Sequence, residues 1–316
     1  VMSVSEKTGR KLSKHSKDKI RNSAMMLFQC QDDSKDVPNY GSNDGALVFP
    51  VSSCGYRDFR PVINTAYALS TGKQLFDAGK HQEELIWFSG NSNLQEYVIE
   101  NPKKVSSQFI DAGLFTIRGP HSWAMIISSG YHSRPAHMDQ LHIDLWIDGV
   151  NVLCDAGTYS YASKDGRQLI ENGSHNTSLV DGKTQMGLYG PFMIYDWTKR
   201  KLGRCDSESF EAKCISSNGY THVRKIKRSG TSYKVIDNVS TDYHVLFHTP
   251  CDVKCTGNVI VLSWKGTKIC RIETSGKVKL LKSNRSLYYL KREEINCLSI
   301  AGQAGEEVLT IISEGE

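Results

Sequence analysis

The spacing of apolar residues divides the chain near residue 95. Before that point, apolar side chains recur at helical intervals, which predicts a helix within residues 5–30 and a second helix that begins near Pro61 and ends at Gly72. A shorter helical piece is predicted from His81 to Phe88. The first stripe consists of Leu12, Ile20, Ala24, Leu27 and Phe28, and the second of Val62, Ile63, Ala66, Tyr67 and Leu69.

From about Val105 to the end, the pattern is different. Short runs rich in Val, Ile, Tyr and Phe alternate with turns rich in Gly, Ser, Asn and Asp, as expected for an antiparallel sandwich. Examples are Leu114–Arg118, Trp123–Ser128, Val245–His248, Val259–Trp264 and Val308–Ile312. We therefore predict a mainly β protein, with a helical segment at 1–95 followed by a large antiparallel β-sandwich at 96–316.

One hairpin stands out within residues 133–179. Apolar residues at 141, 143, 145 and 147 alternate with His142, Asp144 and Trp146, the period of a strand with one buried face. Asp148-Gly149 follows, a dipeptide that favours a two-residue turn. With such a turn Ile147 faces Val150, and counting back sets His142 opposite Asp155. Histidines and carboxylates gather at the open end of this hairpin, which marks it as a candidate site.

Bulk properties narrow the possible functions. Of the 316 residues, 39% are hydrophobic and 23% charged, which is ordinary for a globular protein. A net charge of +5 suits an anionic substrate but is too small for a nucleic-acid-binding protein. No apolar run approaches the roughly 18 residues that span a bilayer. The nine cysteines are scattered and odd in number, which favours free thiols over a disulfide framework.

Three short motifs carry a family resemblance. They are His137-Met138-Asp139 before the hairpin, Asp155-Ala156-Gly157 after it, and the later His175-Asn176-Thr177. Together they resemble the heparinase II/III-like polysaccharide lyases and the related alginate lyases. The resemblance is close over residues 120–185 and weaker elsewhere. It implies an α/α-toroid of helices followed by a β-sandwich, so that residues 1–95 are expected to be the C-terminal end of a toroid whose earlier part is missing.

The resemblance also implies a metal site. Its ligands match His137, Asp155 and His175, and two imidazoles with one carboxylate suit a divalent ion, most simply Zn²⁺. The hairpin count leaves His142 open as an alternative to His137. Pro135, however, places His137 in a loop ahead of the regular strand, where the count no longer applies. Such an ion either helps to neutralise the substrate carboxylate or holds the loops together.

Further site residues follow from the same resemblance. Tyr161 is either a proton donor to the leaving oxygen or an aromatic residue of the core. Pro135 stands where many members of the family carry a histidine that assists at the substrate carboxylate, so Arg134 and His132 are the candidate substitutes. Asn39 and Asn43 either contact substrate or cap a turn through their own backbone. The tyrosine base and an Asn/His pair of the family are expected upstream of this chain.

The resemblance predicts an enzyme. A lyase of this type removes the proton beside a uronic acid carboxylate and expels the glycosidic oxygen by β-elimination. The expected partner is an acidic polysaccharide or oligosaccharide, and neither nucleic acid nor a membrane span is expected. The main alternative is a non-catalytic carbohydrate-binding sandwich with a structural metal, and a third is a metal-dependent hydrolase. With the base upstream, the chain alone is expected to show little turnover.

Overall fold

A computed structural model describes residues 4, 5 and 8–315. Residues 6 and 7, which belong to the first predicted helix, lie outside the described residues. The chain forms two compact units, one made of residues up to 37 with 47–105 and the other of 38–46 with 106–316. This division lies ten residues beyond the predicted boundary at 95/96, which stays a prediction about domains. Each unit is described separately below.

The first unit is built on helices. They are α1 (Lys14–Gln29), α2 (Arg60–Thr71) and α3 (Gln82–Ser89), and the unit also holds a 3₁₀ turn (Leu94–Glu96) and two short parallel strands, β1 (Lys73–Gln74) and β2 (Val98–Ile99). Ala24 and Phe28 of α1 pack against Ile63 and Tyr67 of α2, as the two apolar stripes predict. Gly72 ends α2 with a φ of 77°. The predicted helices are therefore present, whereas their origin in a toroid stays a prediction.

The second unit contains the remaining strands, which form three large sheets and one small hairpin. A five-stranded sheet has the order β3-β4-β5-β6-β7, a four-stranded sheet β19-β20-β15-β8, and an eight-stranded sheet β11-β12-β13-β14-β21-β18-β17-β16, while β9 and β10 pair with each other. Their ranges are β3 (Ser107–Phe109), β4 (Leu114–Arg118), β5 (Ser122–Ile127), β6 (Ile143–Ile147), β7 (Val150–Leu153), β8 (Ser178–Leu179), β9 (Gly187–Tyr189), β10 (Met193–Tyr195), β11 (Lys199–Cys205), β12 (Ser209–Ile215), β13 (Thr221–Ser229), β14 (Ser232–Val239), β15 (Tyr243–Thr249), β16 (Asp252–Thr256), β17 (Val259–Trp264), β18 (Thr267–Thr274), β19 (Val278–Tyr288), β20 (Lys291–Gly302) and β21 (Glu307–Glu314).

One hydrophobic core joins the three large sheets. Phe115 and Ile143 from the five-stranded sheet, Tyr233 from the eight-stranded sheet, and Val245 and Leu298 from the four-stranded sheet all belong to it. All pairings among these strands are antiparallel. The predicted mainly β fold with a large antiparallel sandwich is confirmed.

The candidate hairpin forms, with two differences from its prediction. Ile147 faces Val150 as expected, but the register shifts at the next pairs, so that Leu145 faces Leu153. The predicted cross-strand pair of His142 and Asp155 is therefore wrong, because a bulge breaks the straight count and β6 begins only after His142. Strand β6 is also buried on both faces rather than one.

One helix of the structure was not predicted from the sequence pattern. Residues 164–170 form α4 (Lys164–Ile170), whose N-cap Ser163 accepts a hydrogen bond from the backbone amide of Gly166 at 2.9 Å. A 3₁₀ turn (Asn172–Ser174) follows and leads directly to His175.

Among the described residues, no helix is long and apolar enough to cross a membrane. All nine cysteines are free, as predicted.

Candidate functional site

Three separate segments of the second unit meet at the predicted metal ligands. His137 lies in the loop before β6, Asp155 follows β7, and His175 follows the 3₁₀ turn. One potential ligand atom from each residue lies within 4.8 Å of the others. All three side chains are buried, at 2%, 1% and 0% exposure. The structure thus brings together the three residues that the family resemblance implied.

Asn176 fastens these segments to one another. Its side-chain amide donates to the carbonyl of Ile143 at 2.8 Å and to that of Cys154 at 3.1 Å. Its Oδ1 accepts a hydrogen bond from the backbone amide of His248 at 2.6 Å. One buried side chain therefore joins the start of β6, the end of β7 and strand β15, and so fixes the backbone next to Asp155 and His175.

The carboxylate of Asp155 is held from two sides. Oδ1 accepts a hydrogen bond from the backbone amide of Gly157 at 2.7 Å, and Oδ2 lies 2.9 Å from Nδ1 of His175. Although burial acts to raise it, the pKa of Asp155 is lowered well below its usual value, chiefly by His175. Burial likewise acts to lower the pKa of His175, yet Asp155 raises it. The pair is a carboxylate facing an imidazole, and one carboxylate oxygen points toward the histidines.

The ring nitrogens of the two histidines are the clearest sign of a ligand. Neither nitrogen of His137 has a hydrogen-bond partner among the described residues, and the same holds for Nε2 of His175. Burial, together with His175, lowers the pKa of His137 to about 4, so its ring is neutral and keeps a lone pair. Because buried polar atoms are almost always paired, such unpaired nitrogens fit a metal ion.

His142 lies close to the same cluster but has a different role. Its Nε2 is 3.8 Å from Oδ2 of Asp155 and 3.9 Å from Oδ2 of Asp144. Its Nδ1 accepts a hydrogen bond of 2.9 Å from the backbone amide of Asn176. Its Nε2 has no hydrogen-bond partner among the described residues, but His142 is not one of the three residues whose ligand atoms lie within 4.8 Å of one another. The geometry therefore favours His137 over His142 as the ligand.

A buried ion pair that sequence analysis did not single out lies next to the cluster and binds its backbone. Arg224 of β13 pairs with Asp237 of β14, and His222 donates to the same carboxylate, with 2.6 Å between its Nε2 and Oδ1. Nη1 of Arg224 also donates to the carbonyls of Leu141 and Asn176, at 2.6 and 2.5 Å. The available signal was the alternation of β13, which places His222 and Arg224 at inward positions.

Tyr161 lies in a separate aromatic setting within the second unit. Its ring is 5.3 Å from that of Phe192 and 5.7 Å from that of Tyr289, measured between centroids, and it is half-buried. Burial raises the pKa of its phenol, and the carboxylate of Asp44 raises it further, while Ser42 and Arg134 act in the opposite direction. The phenol is thus protonated at neutral pH and has a cation among its neighbours.

The candidate substrate residues differ in how they are engaged. Arg134 is exposed, and its Nη1 donates to the carbonyl of Phe192 at 2.5 Å. Asn39 is buried, and its side-chain amide donates to the carbonyl of Ser286 at 2.7 Å. Oδ1 of Asn43 accepts from the backbone amide of Gly45 at 2.9 Å, as in a capped turn. Substrate contact by any of the three stays a prediction.

Comparison with known proteins now decides the family. The family model described as heparinase II/III-like, C-terminal, matches residues 101–306, well over half of the chain. The chain belongs to the heparinase II/III-like family. The matched range of this heparinase II/III-like chain contains His137, Asp155 and His175, as well as Arg224 and Asp237.

Solved structures agree on the fold of this heparinase II/III-like chain. A heparinase III gene product superposes with a TM-score of 0.69 at 14% identity, over 92% of this chain and 46% of that one. The heparan sulfate lyase HepC from Pedobacter heparinus gives 0.68 at 15% identity over 92% and 46%, and a further heparinase III gives 0.65 at 12% over 93% and 48%. The chain thus spans about half the length of these structures. No curated protein matches it.

Proposed function

We propose that this chain is part of a polysaccharide lyase that cleaves an acidic, uronic-acid-containing glycan by β-elimination. Membership of the heparinase II/III-like family supports the reaction class. The observation that carries the proposal is the buried cluster of His137, Asp155 and His175 with its unpaired imidazole nitrogens. These residues hold a divalent ion, and their ligand types suit Zn²⁺.

Each candidate site residue has a proposed role in this reaction. A bound divalent ion supplies positive charge, which stabilises an anionic substrate group or the loops themselves. Tyr161 is the proposed proton donor to the leaving glycosidic oxygen, because its phenol stays protonated at neutral pH. Arg134, exposed near that ring, is the proposed partner of a substrate carboxylate or sulfate. Asn39 and Asn43 are the other proposed substrate contacts. The backbone amide of Asn43 donates to Oγ1 of Thr158 at 2.9 Å, and the side chain of Asn39 donates to the carbonyl of Ser286.

Two measurements test the proposal. Metal analysis of the purified chain after dialysis is expected to find zinc, and a chelator is expected to remove it. Incubation with a panel of acidic polysaccharides is expected to produce the unsaturated uronate that absorbs in the ultraviolet. New reducing ends without this absorbance indicate a hydrolase and contradict the lyase. The assay compares the 316-residue chain, which is expected to form little product, with any longer natural form of the protein, which is expected to form it readily.

A second candidate function rests on the burial of the cluster. Side chains with 0–2% exposure leave little room for substrate to reach an ion between them. This favours a structural metal, and it is consistent with a non-catalytic carbohydrate-binding module. Such a module binds acidic glycans without producing the chromophore, so the same incubation, followed by a binding measurement, separates the two functions.

A further inference from the structure

The eight-stranded sheet presents an outer face with an unusual charge. Burial alternates along β12, β13 and β14, so that every second side chain enters the core, as Phe210, Arg224 and Tyr233 do. The intervening side chains point away from the core. Six lysines occupy this outer face, which we call the lysine face: Lys199, Lys201, Lys213, Lys225, Lys227 and Lys234.

The register brings like charges together. Lys201 of β11 lies directly opposite Lys213 of β12, and Lys227 of β13 lies directly opposite Lys234 of β14. Side chains directly opposite on adjacent antiparallel strands share one side of the sheet, and like charges there destabilise the pair. Among the described residues, none of the six lysines forms an ion pair with a carboxylate. The lysine face is therefore positive, with Glu211 directly opposite Lys225 as a single carboxylate among the outward positions of β12 to β14.

The charge is also localised. Glu211 is the one carboxylate at the outward positions of β12 to β14, where it stands against four of the six lysines, Lys213, Lys225, Lys227 and Lys234. Four lysines less one glutamate leave an excess of three positive charges on these strands, a large share of the net charge of +5 of the whole chain. A single-sign patch of this kind attracts an extended polyanion and concentrates it near the surface.

We propose that the lysine face binds an acidic polysaccharide chain at a distance from the candidate site residues. The glycan class rests on the proposed function, while the polyanion chemistry rests on the lysines alone. The outward positions of β12 to β14 contain no arginine and no aromatic side chain, the residues that bind phosphates bidentately and stack on bases. A flat array of lysines instead suits the repeated sulfates and carboxylates of a glycan, which need charge rather than stacking.

The test measures binding to immobilised heparin, with polygalacturonate as a carboxylate-only polymer and dextran as a neutral one. The variant carries Lys213→Gln, Lys225→Gln, Lys227→Gln and Lys234→Gln. The matched control carries Lys14→Gln, Lys17→Gln, Lys19→Gln and Lys80→Gln, which are exposed and lie in the first unit. The face variant is expected to bind on the order of tenfold or more weakly, with a shallower salt dependence, because fewer counterions are released. The control variant is expected to bind like wild type.

A single substitution separates lost binding from lost folding. Lys227→Glu places a carboxylate opposite Lys234, which replaces a repulsive cross-strand pair with an attractive one. Its thermal midpoint is expected to equal or exceed that of wild type, while heparin binding falls. Equal losses in the face variant and the control variant would overturn the proposal, since binding would then follow net charge alone.

Other outcomes overturn the choice of ligand. Tighter binding to duplex DNA, or to vesicles of phosphatidylcholine and phosphatidylserine, than to heparin at the same salt concentration contradicts a glycan. Metal content and ultraviolet absorbance on a short oligosaccharide do not depend on the lysine face. A failure of this inference therefore leaves those two measurements unchanged, whereas a failure of the proposed function shows in them directly.

Discussion

Arg224 donates a hydrogen bond from Nε to Oδ1 of Asp237 across 2.7 Å, and neither side chain is exposed to solvent. A second bond of 3.1 Å joins Nη2 to Oδ2, which makes the pair bidentate. The remaining nitrogen, Nη1, donates to the carbonyls of Leu141 and Asn176. This ion pair therefore ties β13 and β14 to the backbone beside His142 and His175, at the base of the candidate metal centre.

Replacing the guanidinium by an apolar group is expected to destabilise the fold. Arg224→Met leaves the carboxylate of Asp237 buried without its cation and removes the guanidinium donor from the carbonyls of Leu141 and Asn176. The free energy of unfolding is expected to fall by about 3–5 kcal/mol, the usual effect of breaking a buried pair. Urea unfolding followed by circular dichroism gives the value.

Arg271→Met is the matched control for that measurement. Arg271 pairs with Glu273 at 2.9 Å, but both side chains are about half exposed. Solvent screens such a pair, so its loss is expected to change stability by less than about 1 kcal/mol. Similar effects of the two substitutions contradict a special role for the buried pair.

The free energy of unfolding is expected to decrease as the pH is lowered from 7 to 5, partly because of His222. Burial lowers the pKa of this histidine, although Asp237 opposes the shift. The unfolded chain takes up a proton there as the pH passes 6.5, and the folded chain does not, so acid favours unfolding. This histidine contributes up to about 1.4 kcal/mol per pH unit. His222→Gln is expected to show a smaller loss than wild type when urea unfolding is compared at pH 7 and 5.5 with chelator present.

The partner carboxylate acts in a lower pH range. Burial acts to raise the pKa of Asp237, but Arg224 and His222 lower it below 3.8. Its contribution to stability is therefore complete above pH 3.8 and is lost only as the pH falls through the lowered value. The His222→Gln variant keeps this acid limb, and a variant with the same pH slope as wild type between 7 and 5.5 disproves the part assigned to the histidine.

Metal affinity is expected to depend on His137 and His175 but not on His142. His137→Ala and His175→Ala each remove a ligand nitrogen and are expected to weaken zinc binding by at least about 100-fold. His142→Asn removes no ligand and is expected to retain one ion. Elemental analysis and competition with a chromophoric chelator measure this. Loss of zinc in His142→Asn with retention in His137→Ala reverses the assignment.

Turnover is expected to depend on the hydroxyl of Tyr161. Tyr161→Phe keeps the ring contacts with Phe192 and Tyr289 but removes the proton donor. The rate of β-elimination is expected to fall by on the order of 10²–10⁴-fold, mainly in kcat. Tyr289→Phe is the control, since its hydroxyl accepts a hydrogen bond from the backbone amide of Tyr161 at 3.1 Å and is assigned no proton transfer. Equal rates for Tyr161→Phe and wild type exclude the tyrosine as the acid.

Local patterns in the sequence determined much of this protein. The helical stripes predicted α1 and α2, and the helix stop at Gly72 followed from the freedom of glycine to adopt a positive φ. The short β-rich runs predicted the sandwich, and Asp148-Gly149 predicted a turn that pairs Ile147 with Val150. Residue types near that hairpin and their family resemblance also singled out the three residues that cluster.

Tertiary structure decided what depends on contacts between distant parts of the chain. The bulge next to Leu145 displaced His142 from the position that a straight count assigns, since register shifts leave no mark in residue period. The side chain of Asn176 and Nη1 of Arg224 form hydrogen bonds with residues 22 to 83 positions away, and the backbone amide of Asn176 donates to Nδ1 of His142. No residue period marks such contacts in the sequence. The lysine face arose in the same way, because only strand pairing brings residues 201 and 213, or 227 and 234, side by side.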